Sequence, residues 1–499
     1  MGQPLLLGLD IGSSFVKASL VSAATGKAVA MARSPSDEMS ISAPAPGWAE
    51  QDPECWWKHV QACIKICLQQ DSVHAVDIQA IGIAYQMHGL VAVDRQGIPV
   101  RPSIIWCDSR AVSLGEKALQ RLGQRYCLSH LLNAPGNFTV SKLKWVMDNE
   151  PATFAKIHKI MLPGDYIAYR LTGDIVSTDT GLSEGIFWDY KKGGISDELL
   201  SCYEIDHALL ADIRPVFSIQ GKVSARIAEE TGLKAGTVVA YRAGDQPNNA
   251  FSLNVLRPGE TAATAGTSGV IYSVTDQNIG DPKSRVNTFI HVGNSEAEKR
   301  NGVLLCVNGT GILNSWLRKN FNSGASAMSY EEMNRLASGV PAGCEGLVVL
   351  PFGNGAERML DNKVIHASWH GIDLIRHRQA HLVRAAQEGI VFAFNYGLEI
   401  LKSMGLQPNV IRAGNANMFL SPVFRETLAH TTQVPIQLFD TDGATGAALG
   451  AGVGAGLFTQ VEEAFSGLTK IHEVEPRPEL HIQYEEIYQH WRKTLNRYL

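Results

Sequence analysis

No run of apolar residues in this 499-residue chain approaches the roughly 20 needed to cross a bilayer. The opening Met1-Gly2-Gln3-Pro4-Leu5-Leu6-Leu7 also lacks the charged region, long apolar core and small-residue cleavage site of a secretory signal. A cytoplasmic protein with no membrane partner is therefore expected. Basic charge is in deficit: 44 Lys and Arg against 49 Asp and Glu give a formal net charge of −5. With no basic cluster, the chain offers no field for nucleic acid. The eight cysteines contain no CxxC pair, which argues against zinc-ribbon and dithiol redox chemistry. What remains is a globular composition, 45% apolar and 19% charged, in a chain too long for one core, so two domains or more are expected.

Against that background one short pattern occurs twice. The first copy is Leu5-Leu6-Leu7-Gly8-Leu9-Asp10-Ile11-Gly12-Ser13-Ser14-Phe15-Val16-Lys17-Ala18-Ser19-Leu20. About half a chain later comes Ala262-Ala263-Thr264-Ala265-Gly266-Thr267-Ser268-Gly269-Val270-Ile271-Tyr272-Ser273. Each reads as a hairpin whose tip is built of glycine and hydroxyl residues. Taken alone, either is a turn that needs positive φ. Taken together they say more, because a tip without Cβ atoms lets backbone N–H groups and hydroxyls crowd around phosphate oxygens. Two such tips imply a polyphosphate held between two related halves. Asp10 precedes the first tip and Asp245 lies upstream of the second, positions from which a carboxylate can hold Mg2+ through water or take a proton.

The remaining spacing predicts an α/β chain. Asp52 and Pro53 supply the cap and first position of a helix carrying Trp56, Trp57, Val60 and Ile64, with Cys63 and Cys67 buried on it. A strand over 78–84 ends in Gln86-Met87-His88-Gly89, and strands over 90–93 and 99–106 lead to Cys107-Asp108-Ser109-Arg110. Polar residues thus gather at strand C-termini, where open α/β sheets carry their sites. Helical periodicity over 137–149 and 163–171 is followed by hairpins over 262–292, helices from 311, over 379–404 and over 443–457, and a strand over 410–413. The boundary falls at Asp245, dividing the chain into 1–245 and 246–499.

The order of these segments resembles the FGGY carbohydrate kinases, members of the actin-like, ribonuclease-H-type ATPases, and within them the xylulokinase branch. In the first half the match is carried by Leu9-Asp10-Ile11-Gly12-Ser13-Ser14 with Lys17, Trp48-Ala49-Glu50-Gln51-Asp52-Pro53, Gln86-Met87-His88-Gly89, Trp106-Cys107-Asp108-Ser109-Arg110, and Leu162-Pro163-Gly164-Asp165-Tyr166. In the second it is carried by Gly244-Asp245, Gly266-Thr267-Ser268-Gly269, Gly355-Ala356-Glu357-Arg358 and the helix around Ala385 and Glu388-Gly389. It spans nearly the whole chain and departs at Asn137, at Gln387 in an apolar slot, and at Gln246 where Asn is common. The resemblance implies two ribonuclease-H-like domains with a cleft between them, 1–245 binding sugar and 246–499 binding ATP. It further implies ATP and Mg2+ as cofactors and a small-molecule sugar as partner, and it is compatible with a homodimer. The implied reaction is direct in-line phosphorylation of D-xylulose at its 5-hydroxyl.

Under that resemblance Asp245 is the general base that accepts the sugar hydroxyl's proton. Without the neighbouring phosphate tip it would read as a cap on Pro247-Asn248-Asn249. Asp10, with Asp245, positions Mg2+, the other reading of Asp10 being a turn-stabilising side chain. Ser13, Ser14, Gly266, Thr267 and Ser268 meet phosphates, while Lys17 is divided between phosphate contact and a solvated strand lysine. Met87 (through its backbone), His88, Asp108 and Gln246 meet the sugar. Trp106 and Arg110 line or brace the same pocket, and Arg110 is divided between support and a structural ion pair. Gly311 and the segment Gly414-Asn415-Ala416-Asn417 are the candidates for adenine and ribose, since glycine lets a flat base approach and Asn reads its edge. The run Gly443-Ala444-Thr445-Gly446-Ala447-Ala448-Leu449-Gly450 reads as close helix packing with no ligand. Competing readings are a kinase for another ketose or polyol (ribulose, a hexulose, glycerol) and a non-catalytic sugar- or nucleotide-binding module.

Overall fold

The computed structural model describes residues 2–321 and 328–499. The run Leu5–Ile11 (β1) is too uniformly apolar for a half-exposed strand, and it lies buried within a sheet. It pairs antiparallel with Val16–Ser22 (β2), which pairs with Ala28–Ser34 (β3), and on its other side runs parallel to Ile78–Tyr85 (β4). Phe217–Lys222 (β5) and Val238–Gly244 (β6) complete the six-stranded order β5-β6-β4-β1-β2-β3. The second half contributes Glu260–Ala265 (β7), Gly269–Thr275 (β8), Asn287–Ile290 (β9), Asn301–Val307 (β10), Val410–Gly414 (β11), Ile436–Phe439 (β12) and Lys470–Val474 (β13). They order as β9-β10-β8-β7-β11-β12-β13.

Without β5 in the first and β9 and β13 in the second, the two sheets share one plan. Strands β3-β2-β1-β4-β6 and β10-β8-β7-β11-β12 each consist of an antiparallel trio continued by two parallel strands. The fold is therefore a duplicated mixed α/β architecture of two ribonuclease-H-like sheets, and the paired tips sit at equivalent places in it.

Helices follow the local signals. Pro53–Leu68 (α1) starts on Asp52, whose Oδ1 accepts from Glu54 N at 3.0 Å, and buries Trp56, Trp57, Val60, Cys63 and Ile64. Thr139–Asn149 (α2), Pro163–Thr172 (α3) and Asp179–Glu184 (α4) belong to the first half, and Asp245–Ser252 (α5) leads out of β6. Gly311–Asn320 (α6) follows the second tip, and Gln379–Ser403 (α7) backs the second sheet. On α7, Gln387 is fully buried in its apolar slot because Ser421 Oγ and Asn334 Oδ1 satisfy its amide at 2.8 and 3.0 Å. The strand expected over 99–106 shrinks to Ser103–Ile104, since Pro99 and Pro102 lack the N–H a ladder needs. Among the described residues no helix is long and apolar enough to cross a membrane.

Gly443–Gly454 (α8) belongs by sequence to the second half but lies across β1, β4 and β6 of the first sheet. Backbone meets backbone there. A Cβ on Gly8 would overlap the Ala444 carbonyl, one on Gly82 the Ala447 carbonyl, and one on Gly454 the Ala240 carbonyl. The small-residue run thus packs closely, and it does so between the halves. Apolar clusters are shared in the same way: Leu6, Ala80 and Phe251 with Ala447 and Leu449, and Met87, Phe138 and Leu182 with Tyr272, Phe289 and Leu304. Replacing Gly82 with Ala forces strand and helix apart, at an expected cost of about 2 kcal/mol or more. This reads out as a lower denaturant midpoint at unchanged m value, and equal stability of parent and variant would show that the helix can retreat.

Candidate active site

Asp10 lies next to the end of β1, directly opposite Lys17 across the first hairpin. The N-terminus of α8 faces it so closely that a Cβ on Gly443 would stand 2.8 Å from Asp10 Oδ2. That helix end is fixed by Asp442, which accepts from Thr445 N at 2.8 Å, and by Asn248 Nδ2 donating to Gly443 O at 2.8 Å. Burial raises the proton affinity of Asp10, Lys17 opposes this, and Asp442 adds to it. Asp245 opens α5 immediately after β6. Burial and then the Asp10 charge push its carboxyl up to about 7, against the Gln246 backbone and side-chain donors. Asp10 and Asp245 thus come from the two strands that flank β4, and each disfavours the other's charge. A cation would relieve them both.

The first tip is braced from the first half. Gln51 Nε2 donates to Ser13 O at 2.7 Å, Met39 N to Ser14 O at 2.9 Å, and the half-exposed Trp106 donates its indole N–H to Ser13 Oγ at 3.3 Å. In the second tip Thr267 and Ser268 are exposed, while the backbone is tied to the start of α6 by Gly311 N to Gly266 O at 2.9 Å and Ile312 N to Thr267 O at 3.0 Å. Asn417, with φ of 55°, brings its amide within 3.8 Å of a Cβ built on Gly266. Gly414 ends β11, and Asn415 N donates to Phe439 O at 3.0 Å. The structure therefore brings Gly266, Thr267, Gly311 and Asn417 together around one corner of the second sheet.

At the expected sugar end, β4 stops at Tyr85 and the chain turns through Met87 and His88. His88 takes φ of 61°, a conformation uncommon outside glycine that needs outside support. Lys142 Nζ on α2 donates to His88 O at 2.7 Å and to Ile105 O at 2.9 Å. Glu184 at the end of α4 holds the other side, its carbonyl 2.9 Å from His88 Nδ1 and its Oε1 accepting from His88 N at 3.4 Å. A carbonyl only accepts, so Nδ1 carries the hydrogen and Nε2 is left as a lone-pair acceptor. Burial, then the Lys142 charge, push His88 down to about 3. Its ring is flanked by Phe138 at 4.9 Å and Phe289 at 5.3 Å, one from each half. A neutral acceptor in an aromatic frame suits a hydroxyl.

Asp108, expected beside the substrate, is enclosed. Its Oδ2 accepts from Ala49 N at 2.6 Å and Arg110 Nε at 2.9 Å, and its Oδ1 from Arg110 N at 2.9 Å. Arg110 in turn pairs with Glu50 at 2.7 Å and lies over Trp48 and Trp145 at 4.0 and 4.8 Å. The two residues brace the pocket wall, because Arg110 curls back onto a carboxylate two residues away and leaves it no open face. Asn137 donates to the Asp108 carbonyl and belongs to the same brace.

Family models for the FGGY family of carbohydrate kinases match this geometry's two halves, the N-terminal domain over residues 5–252 and the C-terminal domain over 261–456. The chain belongs to the FGGY family of carbohydrate kinases. It is similar to the xylulose kinase of Escherichia coli (strain K12), 29% identical over 461 residues that cover 90% of this chain and 88% of that one. It is also similar to the xylulose kinase of Bacillus subtilis (strain 168), 29% identical over 510 residues covering 98% of each. The crystal structure of a xylulose kinase from Rhodospirillum rubrum superposes with a TM-score of 0.86 at 26% identity, covering 98% of both chains. The protein is thus a carbohydrate kinase of an ATP-using family, with a small-molecule sugar as substrate.

Several residues that the fold brings to the site were not among the candidate site residues, although Glu357 lies in a matched motif. Lys142 and Glu184 support His88. Glu357 accepts from Asn308 N at 3.1 Å and Gly309 N at 2.8 Å and so holds the turn before α6, burial pushing its carboxyl up to about 7. Burial also raises Glu184 well above the ordinary range, and the Asp245 charge adds to the effect. Glu184 carries no motif signal, since it follows another acid, Asp179, in the stretch Thr178-Asp179-Thr180-Gly181-Leu182-Ser183. For His88 the expected outcome is an imidazole that stays neutral and Nδ1-protonated from pH 8 down to about 5, because its folded-state value of about 3 lies far below. Nitrogen chemical shifts across that range check this, and protonation with a midpoint near 6.5 would contradict it.

Proposed function

We propose that this kinase transfers the γ-phosphoryl group of ATP to the 5-hydroxyl of D-xylulose, giving D-xylulose 5-phosphate and ADP. The observation that carries the reading is an acid, Asp245, at the head of α5, directly after β6, whose proton affinity burial and the Asp10 charge raise toward neutrality. In the proposed step the sugar oxygen bonds to the γ-phosphorus, the bond to the bridging oxygen breaks, and the sugar's proton passes to Asp245 Oδ. A carboxyl with a pKa near 7 is strong enough to take that proton and weak enough to be ionised at working pH.

His88 Nε2 and the Met87 backbone orient the acceptor, with Gln246 beside the base. Ser13, Ser14, Thr267 and Ser268 supply hydroxyls to the phosphates, with Lys17 opposite Asp10 as a nearby cation. Gly311, Gly414, Asn415 and Asn417 take the base and ribose. Mg2+ fits the mutual repulsion of Asp10 and Asp245, which would hold it, and it would neutralise phosphate charge there. Among the described residues no three metal-ligating side chains cluster, which accords with an ion carried largely by water and phosphate oxygens. Xylulose is favoured over other ketoses by the likeness to xylulose kinases over 90% or more of this chain.

Sugar-dependent ADP release, measured with Mg-ATP across a panel of pentuloses, hexuloses and polyols, tests the assignment, and turnover fastest with another sugar would replace D-xylulose. Asp245→Asn should lower kcat by about 100-fold or more while nucleotide affinity changes little. Near-normal turnover in that variant would remove Asp245 from the mechanism. The base works only when ionised. With its value at about 7, kcat/KM for the sugar should fall tenfold for each pH unit below that point and level off above it. A profile flat from pH 8 to 5 would oppose the assignment.

A further inference from the structure

A second acid stands beside the proposed sugar site and has no part in the step above. Glu184 closes α4 and is 1% exposed. It sits where β4 and β6 end. Its Oε1 accepts from His88 N at 3.4 Å, and its Oε2 is pressed against Gly244 so tightly that a Cβ there would collide with it and with Met87 Cγ. Gly244 directly precedes Asp245, so the carboxyl rests on both segments that carry the proposed site, the sugar-reading turn and the base.

Its hydrogen bonding is incomplete. The bond from His88 N is long, and the other donor facing the carboxyl, the buried Tyr85 hydroxyl, stands outside full hydrogen-bond geometry. The buried Arg242 guanidinium is directed to Asp165, at 3.6 Å, and its nitrogens likewise lack hydrogen-bond partners. Buried carboxyls are ordinarily saturated with donors. One left short of them at the mouth of two strands is matched to a ligand rich in hydroxyls. The helix that carries it does not swing freely, since Ile290 N of the second half donates to Ser183 Oγ at 3.0 Å.

We propose that Glu184 is a specificity-determining residue that hydrogen-bonds a hydroxyl of the bound sugar other than the one phosphorylated, and with His88 Nε2 fits the site to a neutral polyhydroxy acceptor. This rests on the kinase reading above and names a contact that the reading does not require. The rival role, a scaffold for His88, uses the same protein atoms, so the test must turn on the substrate.

Steady-state kinetics of the full-length wild type, Glu184→Ala and Glu184→Gln are measured with D-xylulose and its 1-deoxy, 3-deoxy and 4-deoxy analogues. The wild type should lose at least about tenfold in kcat/KM with the analogue that lacks the contacted hydroxyl. Glu184→Ala should raise KM for D-xylulose at least about tenfold, with a smaller change in kcat, and should erase the discrimination against that one analogue while keeping it for the others. Glu184→Gln, which preserves shape and hydrogen bonding, should keep part of it. If Glu184→Ala does not fold, Glu184→Gln decides alone: discrimination altered at one hydroxyl supports the proposal, and discrimination unaltered overturns it. Equal losses with all four sugars would show a scaffold and overturn it too. Those results leave the kinase reading intact, whereas a wild type that releases no ADP with D-xylulose removes both.

Discussion

The close approach of α8 to the first sheet is the constraint on which the site depends. Gly8 and Gly82 give up their side chains so that the Ala444 and Ala447 carbonyls can lie against the strands, and most of the helix is Gly and Ala, which lets it lie close. Its direction then follows, and its N-terminal residues Asp442 and Gly443 are delivered to Asp10. A helix that belongs by sequence to the second half thereby bears on the electrostatics of an acid in the first. Without that contact Asp10 would lie at the edge of an open cleft, and the burial that drives its proton affinity up would be lost.

From this follows the division of charge across the cleft. Asp10 and Asp245 are crowded at one end, where burial raises both, Asp442 adding to the first and Asp10 to the second, and the proposed phosphate and counter-ion site lies there. At the other end the polar groups are neutral or already paired. His88 is held as a neutral imidazole, and Asp108 is consumed by Arg110. Lys142 spends its donors on two carbonyls, burial pushing its ammonium down to about 7 against the pull of Asp108. The proposed acceptor, neutral and hydroxyl-bearing, suits that end. The strained backbone of His88 is tolerated because Lys142 and Glu184 grip it from opposite sides.

Much of this was legible in the chain itself, because the informative signals are local. The two glycine and hydroxyl tips, the Asp52 cap with Pro53, and the small-residue run of α8 each carry their meaning within a dozen residues. Reading failed where meaning depends on what a distant element does. Asp108 looked like an open carboxylate at a strand end, and only the fold shows Arg110 turned back onto it with Trp48 and Trp145 as its bed. Residues 99–106 looked strand-like by alternation, and the two prolines overruled it. Gln387 looked like a misfit in α7 until Ser421 and Asn334, far away in sequence, met its amide.

Glu184 is the sharper case, since nothing near it in sequence announces a site. Its neighbours Gly244, Met87 and His88 lie 60 residues later and about a hundred earlier, and they meet it only because β4 and β6 are parallel neighbours whose C-terminal ends are level. That parallel pairing is the physical reason Asp245, the turn through Met87 and His88, and this acid share one place. Parallel strands put their carboxyl ends on the same edge, and each chain reversal beyond that edge delivers another polar group to it. The first sheet therefore gathers Asp245, the turn through Met87 and His88, and Glu184 from successive strand ends, and the proposed acceptor site rests on that gathering.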